Sequence, residues 1–162
     1  MDSAMKLKGK FKARHIRDGK CIAEFEFSNA IVDEGLNHIL ETEFKSGAAV
    51  PTWYLGLINN TPTPTLANAN TMGSHSPWVE ATVYDETDRP AWTPGDAATR
   101  TITNVATVDF TINDTVTIYG IFVTSSLAKS GTSGILWATG AFASPRAFSA
   151  TDVLQITYTV NG

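Results

Sequence analysis

The sequence predicts a mainly β fold: an antiparallel β-sandwich or jelly-roll-like domain with one short inserted α-helix at about residues 33–46 and an N-terminal β-hairpin at about residues 6–28. Three observations predict this class. Segments of alternating apolar and polar residues recur along the chain, with turn residues between them. Charged residues make up only 17% of the chain, and much of its polarity comes from Thr, Ser and Asn, which suit strands and turns. A convincing helical period occurs in one segment.

The first predicted element is the hairpin. Basic side chains occupy every second position of its first strand, which is the period of a strand with one face in solvent. These residues are Lys6, Lys8, Lys10, Lys12 and Arg14. Residues 20–28 alternate in the same way, and Asp18-Gly19 between the two strands is a turn signal.

Matching the faces of the two strands predicts the register of the hairpin. A two-residue turn would place Lys12 opposite Phe25, so that polar and apolar side chains would share a face. We therefore predict a three-residue turn over residues 17–19, with Gly19 in the left-handed position of a bulge. The pairs that this turn predicts are Lys10–Glu26, Lys12–Glu24, Phe11–Phe25 and Ala13–Ala23.

The helix is predicted by an apolar stripe at three- and four-residue spacing. The stripe consists of Val32, Leu36, Ile39, Leu40 and Phe44. Asp33 is placed to cap the N terminus of the helix, and Gly47 follows it as a stop signal. His38 lies near the stripe, where we expect its side chain to form a hydrogen bond rather than bind a metal.

The remaining elements are strands separated by two long loops. Residues 53–58 form a short apolar run typical of a central strand, and residues 59–77 follow as a loop rich in Asn, Thr and Pro. Residues 79–84 predict another strand before a second loop over residues 85–98. The last third of the chain predicts strands at residues 101–112, 115–124, 135–142 and 153–160. The total of eight or nine short strands is typical of a sandwich.

The sequence contains little that indicates catalysis or cofactor binding. The three histidines lack the spacing of paired metal ligands, and the single cysteine, Cys21, excludes an intramolecular disulfide. A net charge of −4 argues against nucleic acid as a partner, and no apolar run is long enough for a membrane helix. We therefore expect a single domain over residues 1–162, flexible over residues 1–5, that has no cofactor, is not an enzyme and acts by binding proteins.

Two features are candidates for a protein interface. Seven of the twelve basic residues lie within the first twenty positions. Either Glu24 and Glu26 neutralise about half of this stripe, or the stripe is a basic edge that docks on an acidic surface. The hairpin over residues 6–28 is also a candidate for a projecting basic arm. Trp78 and Trp92 flank the long loops, where they cap the core, anchor an interface or form a sugar-binding platform. The candidate interface residues are Lys6, Lys8, Lys10, Lys12, Arg14, Arg17, Trp78 and Trp92.

Six segments from about residue 29 to the C terminus are similar to a known family. They cover residues 30–40, 53–58, 89–95, 120–123, 134–137 and 152–160. These segments resemble small virion proteins of tailed bacteriophages. The resemblance implies a structural protein of the capsid decoration (cement) type, made in the host bacterial cytoplasm and bound to the outside of the shell. Its implied partners are the major capsid protein and copies of itself, as a dimer or trimer. A tail- or fibre-associated virion protein and a carbohydrate-binding module are the alternatives.

Overall fold

The computed structural model describes residues 6–162, so the predicted flexible segment over residues 1–5 lies outside the described residues. Strands cover 49% of the chain and helix 8%, which confirms the predicted mainly β class with one short helix. The elements are β1 (Lys8–Arg17), β2 (Lys20–Ser28), β3 (Ala30–Ile31), α1 (Asp33–Phe44), β4 (Trp53–Asn59), β5 (Glu80–Ala81), β6 (Ala91–Trp92), β7 (Thr101–Thr103), β8 (Val108–Thr111), β9 (Val116–Thr124), β10 (Leu136–Phe148) and β11 (Val153–Asn161).

Two antiparallel sheets form a sandwich around a common core. The first sheet has the order β2-β1-β11-β7, and β8 also pairs with β11. The second has the order β3-β10-β9-β4-β5, and β6 also pairs with β4. Alternate side chains of each strand point inward, so that Phe11 and Ile156 of the first sheet share a core with Leu55 and Ile121 of the second. The predicted sandwich is therefore confirmed.

The turn of the N-terminal hairpin differs from the predicted one. Asp18 and Gly19 form a two-residue turn with φ of 51° and 73°. The pairing of β1 with β2 then skips Ile22, which is the extra residue of a bulge. This extra residue restores the match between faces that a two-residue turn alone would destroy, because Lys12 now lies opposite Glu26 rather than opposite Phe25.

The bulge shifts the predicted cross-strand pairs but leaves the predicted ion pairs in place. Phe11 lies opposite Phe27, and Ala13 lies opposite Phe25. Both pairings differ from the predicted ones. The ion pairs Lys12–Glu24 at 2.8 Å and Lys10–Glu26 at 2.5 Å still form, but they run diagonally between neighbouring positions.

The hairpin is part of a sheet and does not project as an arm. β1 pairs with β11 from Lys8 opposite Asn161 to Ile16 opposite Val153, so it has a hydrogen-bonded neighbour on each side. One edge of this sheet is β2, whose Phe27 packs against the core. The prediction of a projecting basic arm is wrong, because β1 is an inner strand of the sandwich and its apolar face is needed for the core.

The helix forms at the predicted place, but its N-terminal cap is different. The capping residue is Val32, whose side chain cannot accept a hydrogen bond, and Asp33 is the first helical residue. Gly35 packs against the backbone of Trp137, where a β-carbon on residue 35 would lie 2.6 Å from the Trp137 carbonyl oxygen. The Glu34 carboxylate accepts hydrogen bonds from the backbone N–H of Met72 and of Leu136. Contacts of the sandwich with Glu34 and Gly35 therefore hold the helix. Among residues 6–162, no helix is long and apolar enough to cross a membrane.

The first long loop covers the outer face of the second sheet. In the structure this loop runs over residues 60–79, between β4 and β5. Its Met72 and Trp78 are buried and pack with Ile58 of β4, Phe122 of β9 and Leu136 of β10 in a second apolar cluster. Side chains on the outward face of β4 and β9 are buried for this reason. The cover explains why residues 53–58 are apolar on both faces, as predicted for a central strand.

The second long loop is attached by a buried arginine. Arg89 forms a two-pronged ion pair with Glu80, with nitrogen–oxygen distances of 2.9 and 2.8 Å. It also donates hydrogen bonds to the carbonyl oxygens of Ser126 and Gly131 at 2.9 and 3.0 Å, and its guanidinium lies over the Phe122 ring. One side chain therefore joins β5, the second long loop and the β9–β10 connection.

Candidate protein interface

The basic stripe lies on the outer face of the first sheet. Lys10 and Lys12 pair with Glu26 and Glu24, and the Arg14 Nε lies 3.5 Å from a Glu24 oxygen. The hydrogen bond between Lys12 and Glu24 raises the pKa of Lys12 and lowers the pKa of Glu24. These side chains are about half exposed, so water and salt weaken each pair.

Neutralisation of the stripe is partial. Residues 6–28 contain seven basic and three acidic side chains, a net charge of +4, whereas residues 29–162 contain five basic and twelve acidic side chains, a net charge of −7. Lys6, Lys8 and Lys20 are exposed, and no ion pair to another residue of the range 6–162 involves them. A net positive surface therefore remains on an otherwise acidic protein.

Arg17, the last candidate residue of the stripe, is exposed but belongs to a network around the buried side chains of His15 and Asp152. Its guanidinium forms a two-pronged pair with Asp152 at 2.8 and 2.7 Å. The same carboxylate lies 2.7 Å from Nε2 of His15 and accepts a hydrogen bond from the Ser149 N–H at 2.8 Å. Arg146 donates from Nε to Nδ1 of His15 at 2.7 Å. This network connects β1, β10 and the turn before β11.

The geometry defines the protonation state of His15. Because Nδ1 accepts a hydrogen bond from Arg146, the ring proton of the neutral form lies on Nε2 and is donated to Asp152. Burial lowers the pKa of His15 below its ordinary value of 6.5, and the hydrogen bond from Arg17 holds the pKa of Asp152 far below its ordinary value. Both ring nitrogens are occupied and the residue is 1% exposed, so His15 has no nitrogen available to a substrate.

The two candidate tryptophans lie inside the protein. Trp78 and Trp92 are 1% and 7% exposed. The indole N–H of Trp78 donates to Asn70, and that of Trp92 donates to Asn104 and to the Tyr158 carbonyl oxygen. Neither ring is accessible to a protein partner or to a sugar, so their assignment as candidate interface residues is corrected. They belong to the core, because each ring finds its hydrogen-bond partner there.

An apolar stripe on α1 is exposed instead. Leu36, Leu40 and Phe44 are 40%, 55% and 83% exposed, and they lie four residues apart on one side of the helix. The charged, exposed side chains around the stripe are Asp33, Glu41, Glu43 and Lys45. The sequence pattern grouped these three residues with Val32 and Ile39 in one stripe, but Val32 is buried and Ile39 packs against the core. The packing of Gly35 against Trp137 turns the side of the helix with the three exposed residues away from the sandwich.

A cleft separates α1 from the ends of the two sheets. Its volume is about 320 Å³, and its lining includes Ile39, Trp53, Trp137, Ile102 and Val160. His38 lies at the cleft and packs edge-on against the Trp53 ring with 5.8 Å between ring centroids, so its contact is aromatic rather than the predicted hydrogen bond. The cleft and the stripe lie on neighbouring sides of the same helix.

No family model matches the sequence, and no curated protein matches it either. Within residues 6–162 there is also no group of three or more His, Cys, Asp or Glu side chains that could hold a metal ion. The basic stripe and the exposed apolar stripe of α1 are therefore the candidate binding surfaces of the described residues.

Proposed function

We propose that this protein is a structural virion protein that binds to a bacteriophage capsid shell and stabilises it, as a decoration (cement) protein does. The observation that carries the proposal is the net positive outer face of the first sheet on a chain that is otherwise acidic. The resemblance of residues 29–162 to small virion proteins of tailed phages supplies the kind of partner.

The basic stripe suits attachment to an acidic protein surface. β1 is hydrogen-bonded on both sides, so Lys8, Lys10 and Lys12 stand about 7 Å apart on a rigid strand. No backbone ordering is then needed on binding, so the entropy cost of attachment is that of fixing the lysine side chains. Each contact is weak by itself, and repetition of the same contact over a symmetric shell supplies the retention. The end of the stripe with Lys6 and Lys8 makes the strongest contribution, because the carboxylates of β2 leave it unpaired.

Charge reversal at this end of the stripe is expected to weaken shell binding. The double variant Lys6→Glu/Lys8→Glu should bind expanded, undecorated shells of the parent phage at least about tenfold more weakly at low salt. The variant Lys6→Arg/Lys8→Arg keeps the charge and should bind like the wild type. Sedimentation of shells with bound protein measures the effect, and the melting temperature of decorated shells should rise in parallel with occupancy.

Three outcomes would contradict this proposal. If the wild type does not bind any shell, the decoration function is wrong. If the Glu variant binds as tightly as the Arg variant, the basic stripe is not the contact surface. If electron microscopy of virions places the protein on the tail, a tail-associated role replaces the capsid role.

A further inference from the structure

We propose that the exposed apolar stripe of α1 is a docking site for a basic, amphipathic α-helix of another protein. The stripe consists of Leu36, Leu40 and Phe44, and the bound helix lays its apolar face on it, with Lys or Arg side chains on both flanks. The inference goes beyond the proposed function, because it concerns a second partner and a different surface. α1 packs against β10 of the second sheet, whereas the basic stripe lies on the outer face of the first sheet.

The shape of the stripe suits a helical partner. Leu36, Leu40 and Phe44 are 40%, 55% and 83% exposed and follow one another at four-residue spacing. With a rise of about 1.5 Å per residue, they form a ridge about 12 Å long. Ridges at four-residue spacing fit into the grooves between the side chains of a second helix, which is the commonest type of helix packing. A partner helix of about three turns therefore covers the whole stripe.

Carboxylates stand on both sides of the stripe. At about 100° of rotation per residue, Glu41 lies about 100° to one side of Leu40, and Glu43 lies about 60° to the other. Asp33 is in line with Leu40, about two turns nearer the N terminus. All three carboxylates are exposed, and no ion pair within residues 6–162 involves them. Lys45, the fourth charged side chain around the stripe, follows the last helical residue. The apolar stripe therefore has a mostly negative border.

An acidic cleft extends this negative border. Its volume is about 450 Å³, and it lies between α1 and the first long loop. Asp33, Glu34 and Glu41 line it on the helix side, and Ala69 and Thr71 line it on the loop side. No lysine or arginine of the described residues lines this cleft. A Lys or Arg side chain on the flank of a bound helix reaches the cleft, where the carboxylates offset the cost of removing its charge from water.

The distribution of charge favours this occupant over others. A second copy of α1 would bring the same three carboxylates against these, so that like charges would meet. The basic stripe of a second copy offers cations, but the outward side chains of β1 from Lys8 to Arg14 are all charged and cover no apolar surface. An anionic membrane surface repels carboxylates. A helix that combines an apolar face with Lys or Arg matches both parts of the surface.

Fluorescence anisotropy with a labelled model peptide tests the docking site. The probe is a helical peptide of about 18 Leu and Lys residues with one apolar face, and its matched control carries Glu at every Lys position. The full-length chain should bind the Lys peptide with a dissociation constant of about 10–100 µM, because the contact is small. It should bind the Glu peptide at least about tenfold more weakly. Equal binding of the two peptides, or no binding of the Lys peptide, would overturn the proposal.

Two pairs of variants locate the bound peptide. Leu40→Ser should raise the dissociation constant about tenfold. Val105→Ser, at an apolar residue that is 71% exposed between β7 and β8, should change it by less than about twofold. Glu41→Lys should raise it about fivefold or more, whereas Asp85→Lys makes the same change in net charge elsewhere and should raise it less than about twofold. A Leu40→Ser variant that binds like the wild type would show that the stripe does not hold the peptide.

Asp85 is the matched charge control because it is exposed and distant from α1. Its backbone N–H donates to Thr111, which pairs with Val153 at the start of β11. Val160, near the other end of β11, lines the cleft beside α1. If the control reversal weakens binding as much as Glu41→Lys does, the peptide follows net charge rather than this surface, and the proposal is wrong. The assay contains no shell, so its result is independent of shell binding.

Discussion

Replacement of Arg89 by alanine is expected to lower the free energy of unfolding by about 3–5 kcal/mol. Arg89 is 2% exposed, and its partner Glu80 is buried beside it. Without the guanidinium, the Glu80 carboxylate keeps the hydrogen bond from the Ser130 N–H but loses its cation. The carbonyl oxygens of Ser126 and Gly131 lose their donors as well. Urea denaturation at pH 7, followed by tryptophan fluorescence, measures the loss.

Three further variants separate the causes of this effect. Arg89→Lys keeps the charge but not the planar set of donors, so most of the loss should remain. Addition of Glu80→Gln to the alanine variant should recover part of the stability, since it removes the uncompensated buried charge. The exposed control Lys20→Ala should change stability by no more than about 0.5 kcal/mol. An alanine variant that is as stable as the control would show that the ion pair does not hold the loop.

Replacement of Asp152 by asparagine is expected to lower the free energy of unfolding by about 2–3 kcal/mol at pH 7. Asp152 is 1% exposed. It accepts two hydrogen bonds from the charged guanidinium of Arg17 and one from the Nε2–H of His15. An amide keeps the shape of the side chain but offers an N–H group to donors on one side. The value lies below that for Arg89, because Arg17 is partly exposed and water screens its pair. The control Asp96→Asn changes an exposed carboxylate.

The same network predicts how stability depends on pH. The pKa of Asp152 is lowered in the folded state, so its contribution is present above the ordinary carboxylate value of 3.8 and is lost as the pH falls below it. The pKa of His15 is also lowered, so below pH 6.5 the unfolded chain binds a proton that the folded chain does not bind. Wild-type stability should therefore fall as the pH is lowered through 6.5 and again below 3.8.

Denaturation midpoints between pH 8 and pH 3 distinguish the two groups. His15→Gln should remove most of the loss that begins at pH 6.5, and Asp152→Asn should reduce the loss at lower pH, to which Glu24 also contributes. Identical pH profiles for the wild type and both variants would show that the network does not control acid stability.

Local sequence patterns were sufficient to predict the fold class and most strands of this protein. Period-2 alternation reports which side chains share a face, and so β1, β2 and β11 could be recognised without knowledge of their neighbours. The charge pattern likewise predicted the ion pairs of Lys10 and Lys12, because the two glutamates of β2 alternate on the same face of the hairpin as these lysines.

The features on which the candidate interface depends follow from long-range packing instead. The bulge at Ile22 changes the hairpin register. In the sequence, a one-residue bulge shifts the alternation of the second strand in the same way as a turn that is one residue longer, so the pattern does not distinguish the two. The burial of Trp78 and Trp92 results from distant partners, Phe122 and Tyr158, that the local sequence does not reveal. The rotation of α1 depends on contacts of Glu34 and Gly35 with Leu136 and Trp137, far along the chain. A helical period shows that a stripe exists, but only packing decides which side of the helix reaches the core. The reason is that the free energy of burial depends on both of the surfaces that come into contact, and the helix sequence describes one of them.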